Sequence, residues 1–393
     1  MTSPPQPLFV GRGARDAMAA LGRPAAPWRR DENDDGSLED TVREHPEHYR
    51  TDSDLVHAVN TAMILGKPLL LTGRPGTGKS QLADRIAWEF GLSPVLRFEC
   101  QSISEAQDLF YSYDMVSRLA AVQIARAGVE MNAASAASDA AENTAPQRFI
   151  GFGPLGKAML RAAPRRVQGE GASAQAFDEA RRYDELYELA FLRELGERRP
   201  RRSVVLIDEI DKTSRDFPND LLNGIDRLEF RIRELNDLQV KAPDDEALRP
   251  IVVITSNSER DLPEPFLRRC AYHHVADPDD AALRRIIHAR LFAAPGRSDG
   301  DATLPKLVGD MVNFFVQDYR KRGDSLAYVA GTTELLDWVR AVRRLEDVDM
   351  ETNVRANLQT LKRAIGAMIK RQPDRDILVD ALRRWEDPQR VAM

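Results

Sequence analysis

The chain contains one stretch whose residue types and spacing suit the binding of a phosphate chain, Gly73-Arg74-Pro75-Gly76-Thr77-Gly78-Lys79-Ser80. A glycine, four residues and then Gly-Lys-Ser form the P-loop pattern. The glycines let the backbone curl so that several N–H groups point inward toward a phosphate. Lys79 is expected to reach the β- and γ-phosphates, and the Ser80 hydroxyl is expected to bind Mg²⁺. We therefore predict a nucleoside triphosphate site made of these eight residues and the next one, Gln81.

The residues on either side of this loop predict the elements that hold it. Residues 68–71 form an apolar run before the loop and predict a strand, and residues 81–90 form an amphipathic segment after it and predict a helix. The positive end of that helix dipole would face the phosphates. A glycine-rich turn that matches by chance is a poor explanation, because the strand and the helix are also predicted where the pattern needs them.

A second group suited to catalysis is the acidic pair Asp208-Glu209, which follows the apolar residues 204–207. Acids at the end of a buried strand, downstream of a P-loop, form a Walker B pattern. Asp208 can hold the shell of Mg²⁺ through water, and Glu209 can polarise the water that attacks the γ-phosphate. An Asp-Glu pair after a strand is common by chance, but its combination with the P-loop favours the catalytic interpretation.

A polar residue, Asn257, follows the apolar residues 251–255. Ligands of parallel sheets bind at the carboxyl ends of the strands. Asn257 therefore fits the role of a sensor that fixes the attacking water against the γ-phosphate. The alternative is that Asn257 is a turn residue before Ser258.

The pattern of apolar segments predicts the fold class. Apolar strands that alternate with helices imply a parallel sheet covered by helices on both faces. The predicted strands are residues 68–71, 95–99, 204–207, 251–255 and 271–275. After Asp277 the pattern predicts helices alone, including residues 304–320, 333–346, 353–371 and 375–386.

We expect three parts along the chain. Residues 1–48 are rich in Pro, Gly, Ala and charge and are predicted to be a flexible N-terminal segment. Residues 49–276 form the α/β domain, with an insert at about 101–202. Residues 277–393 form a smaller all-α domain. Within the insert, residues 149–156 predict a hairpin or tight turn, and residues 174–197 predict a charged helix.

The composition excludes several classes of function. A net charge of −6 argues against a general nucleic-acid surface, and the arginine-rich residues 157–202 also carry Glu and Asp, which favours a solvated helical face. No apolar run approaches the roughly 18–20 residues needed to span a membrane, and the N-terminus lacks the apolar core of a signal peptide. The two cysteines, Cys100 and Cys270, lack metal-site spacing, which favours a reduced, cytoplasmic setting. His273 and His274 are adjacent on a predicted strand and would point to opposite faces, which argues against a metal site.

Further segments carry a resemblance to a known family. Together with the P-loop and the acidic pair, residues 254–257 and 262–269 make the chain resemble the AAA+ ATPases, and specifically the MoxR group. The Leu-Pro-Glu segment at 262–264 and the Gly-Pro-Leu segment at 153–155, which resembles the hairpin insert of that group, support the narrower assignment. Residues 58–73 also look like the start of MoxR proteins, and the resemblance covers roughly residues 49–350.

The resemblance implies an AAA+ fold: a P-loop domain with a parallel five-stranded sheet covered by helices, followed by an all-α lid. It implies ATP and Mg²⁺ as cofactors and a homo-oligomeric ring, usually a hexamer, with ATP bound between subunits. An arginine near the end of the Leu-Pro-Glu segment would reach the neighbouring subunit's site and stabilise the transferring phosphoryl group. Position matching assigns this role to Arg269, with Arg268 as the alternate and ordinary surface charge as the competing interpretation.

The resemblance also guides three further expectations. It implies chaperone-like action on a protein substrate, often with a partner that carries a von Willebrand factor A domain. Phe152, in the insert, is a candidate for contact with a partner or substrate at the ring axis. The lid departs from the family pattern, because the stretch at 331–336 lacks the arginine that commonly touches the γ-phosphate there.

Three hypotheses follow for the activity. In the first, hydrolysis moves the lid against the α/β domain and remodels a bound protein. In the second, ATP binding assembles a scaffold and slow hydrolysis only resets it. The third and weakest hypothesis is a nucleic-acid translocase that uses the arginine-rich insert; its ATPase activity would be stimulated by nucleic acid and steeply dependent on salt.

Overall fold

The computed structural model describes residues 8–11, 45–131, 143–163, 185–186, 190, 200–292, 303–345 and 348–385. Contacts divide the chain into two compact units. The first, which we call the sheet unit, is Met1–Phe9, His57–Leu71 and Phe90–His273. The second, which we call the P-loop unit, is Val10–Val56, Thr72–Glu89 and His274–Met393.

The central sheet is parallel and five-stranded. Its strands are β1 (Leu69–Thr72), β2 (Leu96–Glu99), β5 (Val204–Asp208), β8 (Ile251–Ser256) and β9 (Ala271–His274). They lie in the order β2-β5-β8-β1-β9, and β5 pairs in parallel register with both β2 and β8. Every residue of β1 and β8 is buried, as expected of strands covered on both faces. The predicted fold class is therefore confirmed.

Two antiparallel pairs of strands occur in the segments that join strands of this sheet. β3 (Tyr111–Tyr113) pairs with β4 (Ile150–Phe152), and β6 (Glu229–Ile232) pairs with β7 (Leu238–Lys241). Between the strands from β1 to β9, the described residues include the helices α2 (Lys79–Glu89), α3 (Met115–Met131), α4 (Pro154–Ala162), α5 (Phe217–Arg227) and α6 (Glu264–Leu267). Ahead of β1, α1 (Ser53–Leu65) begins at a cap in which the Leu55 N–H donates to Asp52 Oδ1 over 2.7 Å.

The predicted hairpin or tight turn at 149–156 is wrong. Residues 150–152 pair with the distant β3, and α4 begins directly at Pro154. Gly153 and Gly156 lie against another backbone segment, since a Cβ on either would come within 2.1 Å of the carbonyl oxygen of Asp108 or Phe110. These glycines therefore allow close packing rather than a turn. Phe152 is a buried core residue, so the expectation that it contacts a partner at a ring axis is also wrong.

After Asp277, the described secondary-structure elements of the P-loop unit are helices. The α-helices among them are α7 (Asp280–Ile287), α8 (Lys306–Phe314), α9 (Thr332–Arg343), α10 (Leu358–Ala364) and α11 (Gln372–Trp385). They share one apolar core that includes Trp338, Phe314 and Phe315. The helical C-terminal region is thus as predicted. The domain boundaries at 48, 276 and 393 stay a prediction.

The predicted flexible segment 1–48 needs a correction at residues 8–11. Phe9 is only 1% exposed, and its N–H donates to Asn60 Oδ1 over 2.8 Å while Asn60 Nδ2 donates back to the Phe9 carbonyl over 2.9 Å. The composition of residues 1–48 is typical of disorder, and it gave no indication that residues 8–11 are held in place. The predicted helix at 174–197 lies outside the described residues, apart from 185–186 and 190.

Candidate nucleotide site

The loop between β1 and α2 depends on its glycines. Gly73, Gly76 and Gly78 have φ values of 144°, 79° and 87°, which L-residues with side chains rarely adopt. A Cβ on Gly73 would also lie 2.4 Å from the Val275 carbonyl oxygen. The loop therefore has the glycine-dependent curvature of a phosphate cradle, as the sequence pattern predicts.

Lys79 brings the positive charge to this cradle. It is 5% exposed, and its Nζ donates to the carbonyl oxygens of Gly73 and Arg74 over 2.8 Å each. Thr77 Oγ1 also donates to the Arg74 carbonyl, over 2.9 Å, and stabilises the loop. Lys79 is the first residue of α2, so the ammonium group and the positive end of the helix dipole belong to the same few residues. This combination suits phosphate binding.

Gln81, in the first turn of α2, is contacted by a residue from the helical C-terminal part. Arg290 Nη2 donates a hydrogen bond to Gln81 Oε1. Beside them, the Tyr49 ring lies 3.2 Å from the position of a Cβ on Gly78. Burial raises the pKa of the Tyr49 hydroxyl, and the charge of Arg290 opposes that shift. No sequence pattern pointed to Arg290 or Tyr49, which are distant in sequence from Gln81.

The C-terminal part contacts the exposed side of the loop as well. Arg74 Nη1 lies 3.2 Å from Asp277 Oδ2 in an ion pair. A Cβ on Gly76 would lie 3.1 Å from Thr333 Oγ1, in the stretch 331–336 that lacks the expected arginine. The first turn of α9 therefore packs against the P-loop, and Thr333 makes the contact.

The acidic pair lies at the end of β5. Glu209 has φ 57°, a left-handed conformation that is rare for a residue with a side chain. Thr255, near the end of the neighbouring β8, links both acids: its hydroxyl donates to Asp208 Oδ1 and accepts from the Glu209 N–H over 2.9 Å. The two strand ends are thus fixed to each other by one hydroxyl group.

The structure brings Glu209 and Asn257 together. Asn257 Nδ2 donates to Glu209 Oε1 over 3.0 Å, and the Lys212 ammonium donates to Glu209 Oε2. This hydrogen bond and the charge of Glu209 raise the pKa of Lys212. The catalytic roles of Glu209 and Asn257 stay predictions, and Lys212 is a neighbour that the sequence analysis missed.

Asp211 holds the loop that carries Asn257. It is 3% exposed, and its Oδ2 accepts the backbone N–H groups of Asn257 over 3.1 Å and of Glu259 over 3.0 Å. The sequence analysis assigned no role to Asp211, because no local pattern distinguishes it from an exposed acid.

The two arginines after α6 differ in their surroundings. Arg269 Nε donates to Asp226 Oδ2 over 2.6 Å and its Nη1 donates to the Pro265 carbonyl over 3.1 Å. Arg268 pairs with Glu264 over 3.2 Å, and both of those side chains are 80% exposed. Arg269 is therefore oriented by the sheet unit, whereas Arg268 extends into solvent.

Other chemistries lack support in the described part of the chain. There, no group of three or more His, Cys, Asp or Glu side chains is arranged to hold a metal ion. Burial raises the pKa of both thiols, Cys100 and Cys270, to about 12, so they are protonated and poor nucleophiles at neutral pH. None of the described helices is both long and apolar enough to cross a membrane.

Comparison with protein families gives a match that covers all of the predicted site residues in sequence. The model of the AAA domain (dynein-related subfamily) matches residues 68–270 of the 393. That span is more than half of the chain and includes the P-loop, the acidic pair, Asn257 and both arginines. A search of curated proteins gives no match. On the strength of the family match, the chain belongs to the AAA domain family, in its dynein-related subfamily.

Proposed function

We propose that this AAA protein hydrolyses ATP to ADP and phosphate and couples the reaction to the remodelling of a partner protein. The observation that carries the proposal is the Glu209–Asn257 contact of 3.0 Å at neighbouring strand ends. It supplies a carboxylate that can take a proton from water and an amide that orients that carboxylate. The MoxR resemblance supports the remodelling role and a partner with a von Willebrand factor A domain.

The geometry of the P-loop supports a role in phosphate binding. Lys79 and the backbone N–H groups of residues 73–81, except Pro75, would bind the phosphates, because the glycine conformations turn the backbone around them. The Ser80 hydroxyl and the Asp208 carboxylate are oxygen donors of the kind Mg²⁺ takes alongside phosphate oxygens and water. By their chemistry both residues suit Mg²⁺, which usually takes only one or two protein carboxylates or hydroxyls and completes its shell with water and phosphate oxygens. When bound, Mg²⁺ would neutralise charge that develops on the phosphate oxygens.

In the proposed reaction, Glu209, Asn257 and Asp211 each have one role. The oxygen of a water molecule attacks the γ-phosphorus, the bond to the β-phosphate oxygen breaks, and Glu209 accepts the proton that the water loses. Asn257 keeps Glu209 oriented, and Asp211 keeps the Asn257 backbone in place through the bond of 3.1 Å. Asp211 therefore supports catalysis without touching the substrate.

ATP binding has a direct test in Lys79→Met. We expect this change to weaken ATP binding about tenfold to a hundredfold, since hydrogen bonds to charged groups contribute about 1.5–3 kcal/mol. Isothermal titration calorimetry with ATP and Mg²⁺ measures the effect, and GTP in the same assay tests selectivity for the base. Lys370→Met is the control, because Lys370 also donates to a backbone carbonyl, over 3.1 Å, but is exposed. Equal affinity in the Lys79 variant and wild type would contradict the proposed site.

We further propose a ring in which Arg269 completes the neighbouring subunit's site, with Arg268 as the alternate. An arginine supplied in trans contributes about 10³–10⁵ in kcat. Arg269→Ala and Lys79→Ala subunits should each be inactive alone and should partly recover ATPase activity when mixed, because one intact interface can form again. Steady-state phosphate release over a range of mixing ratios measures the recovery.

The Arg269–Asp226 ion pair requires its own control. Asp226→Asn breaks this pair but leaves the arginine in place, so it separates a structural role from a role in trans. We expect Asp226→Asn to retain most of the activity. If it loses as much as Arg269→Ala, or if no mixing ratio gives recovery, the trans assignment is wrong and Arg268→Ala becomes the variant to test.

A nucleotide-gated scaffold with slow hydrolysis is the second candidate. It is favoured by the engagement of both Glu209 oxygens, one by Asn257 and the other by Lys212. The stretch 331–336 adds to this, because it offers Thr333 to the P-loop where an arginine would report on the γ-phosphate. Turnover measured with and without candidate partner proteins distinguishes the scaffold from the remodeller.

A further inference from the structure

We propose that Lys212 is a positioning residue that restrains the Glu209 carboxylate, so that the Lys212–Glu209 contact has to open before Glu209 can take a proton from water. This inference rests on the proposed ATPase function, and it identifies Lys212 as a residue that regulates that activity. Glu209 and Lys212 are separated by three positions in the chain, and their side chains meet directly. The Walker B pattern itself assigns no role to a residue at this position.

The local backbone explains why the two side chains meet. Ile210–Lys212 is a short 3₁₀-helix, and its preceding residue Glu209 has the left-handed φ of 57°. The Lys212 N–H donates to the Glu209 carbonyl over 3.0 Å and closes the turn. This closed turn holds the two residues near each other, and the ammonium group reaches the carboxylate.

The contact occupies the oxygen that catalysis needs. Glu209 Oε1 already accepts from Asn257 over 3.0 Å, so Oε2 is the oxygen left to face a water molecule. Lys212 donates to this Oε2. A general base has to be within hydrogen-bond reach of the proton it removes. While Lys212 holds Oε2, water has to compete with an ammonium group for that oxygen.

The contact is also suited to opening. The Lys212 and Glu209 side chains are 46% and 38% exposed, and exposed ion pairs are weak. Glu259 and Asp211 also act on Lys212 through their charges. Asp211 fixes the backbone N–H of Glu259, so the residue that carries an alternative acceptor is held in the neighbourhood of Lys212. Movement of Lys212 from Glu209 toward Glu259 would release the base without leaving the ammonium group unpaired.

The test is the basal ATPase rate of Lys212 variants in the full chain. Lys212→Met and Lys212→Gln should each raise kcat about two- to fivefold, the factor that corresponds to an exposed ion pair. KM for ATP should stay unchanged, because Lys212 acts on Glu209 rather than on the nucleotide. Lys212→Arg keeps a donor for Oε2 and should keep the wild-type rate.

A matched control is present in the same unit. Lys241 pairs with Asp244 over 3.1 Å, also three residues away, and is 49% exposed, but it lies on β7. Lys241→Met should therefore leave kcat unchanged. A rise in Lys241→Met equal to that in Lys212→Met would show a general effect of lost surface charge and would overturn the proposal.

The remaining outcomes separate this inference from the proposed function. If kcat is unchanged or lower in both Lys212→Met and Lys212→Gln, or rises equally in Lys212→Arg, Lys212 is not a restraint. If wild type still hydrolyses ATP faster than Glu209→Gln, that result overturns only the inference about Lys212, and the proposed ATPase function stands. If wild type is no faster than Glu209→Gln, the ATPase proposal fails and the inference fails with it. The double variant Glu209→Gln, Lys212→Met should stay at the Glu209→Gln rate.

Discussion

Replacement of Glu209 by glutamine is expected to lower kcat for ATP hydrolysis by about 10²–10⁴, the usual contribution of a general base. An amide has nearly the shape of the carboxylate but cannot take a proton from water. The Asn257 contact at Oε1 can persist, and the Lys212 contact at Oε2 is lost because an NH₂ group cannot accept from an ammonium group; Lys212 is half-exposed and can turn to solvent. ATP binding should therefore survive, and the variant should hold ATP without turning it over.

Two measurements separate these effects. Phosphate release under saturating ATP gives kcat, and calorimetric titration gives the affinity for ATP. Glu229→Gln is the control, since Glu229 is on β6 and accepts a bond of 3.0 Å from Gln239 away from the acidic pair. Unchanged kcat in Glu209→Gln would remove Glu209 as the base. A parallel loss of ATP affinity would assign Glu209 to binding instead.

Loss of one partner of the buried Arg85–Glu89 pair is expected to destabilise the P-loop unit by about 3–5 kcal/mol. Both side chains are 0% exposed, and Arg85 Nη2 lies 3.3 Å from Glu89 Oε2. Burial lowers the pKa of Arg85 and raises that of Glu89, opposed in each case by the partner's charge. In Glu89→Leu the guanidinium would stay buried without its counter-ion.

Denaturant unfolding followed by tryptophan fluorescence measures this loss, because Trp88 lies 4.7 Å beneath the Arg85 guanidinium. The double variant Arg85→Met, Glu89→Leu should recover much of the stability, since it leaves neither charge buried alone. Arg384→Met is the matched control: it breaks a pair with Asp380 at the same spacing, but both side chains are about half-exposed. That change should cost about 1 kcal/mol or less. Equal losses in Glu89→Leu and Arg384→Met would contradict the argument.

The parts of the site that were predictable are those with local signatures. The Gly73–Ser80 pattern needs no knowledge of the fold, because φ values such as 144° at Gly73 can be met only by glycine at low cost. Asp208, Glu209 and Asn257 each follow an apolar run, and parallel strands bring their carboxyl ends to one edge of a sheet. Strands β1, β5 and β8 were predictable because each is a buried apolar segment, whereas β2 and β9 alternate between partly buried and exposed residues.

The parts that were missed depend on contacts between distant residues. Arg290 touches Gln81 from a position 209 residues later in the chain, and no local pattern distinguishes it from other surface arginines. The glycines at 153 and 156 suggested a turn, but they serve to admit the backbone of residues 108–110. Lys212 looked like an ordinary charge after the Walker B pattern, because its contact with Glu209 depends on the left-handed φ of that residue.

The buried Arg85–Glu89 pair also determines where a working fragment of this protein can start. The family match begins at residue 68, but the Glu89 carboxylate accepts the N–H groups of Val10 and Gly11, and Arg85 donates to the carbonyls of Pro46 and Glu47. A fragment that starts at residue 68 would keep the P-loop but would lose these four backbone groups, which hydrogen-bond to the charged side chains of Arg85 and Glu89. For expression, mutagenesis or grafting onto another chain, the P-loop helix has to be taken together with residues 8–11 and 45–50.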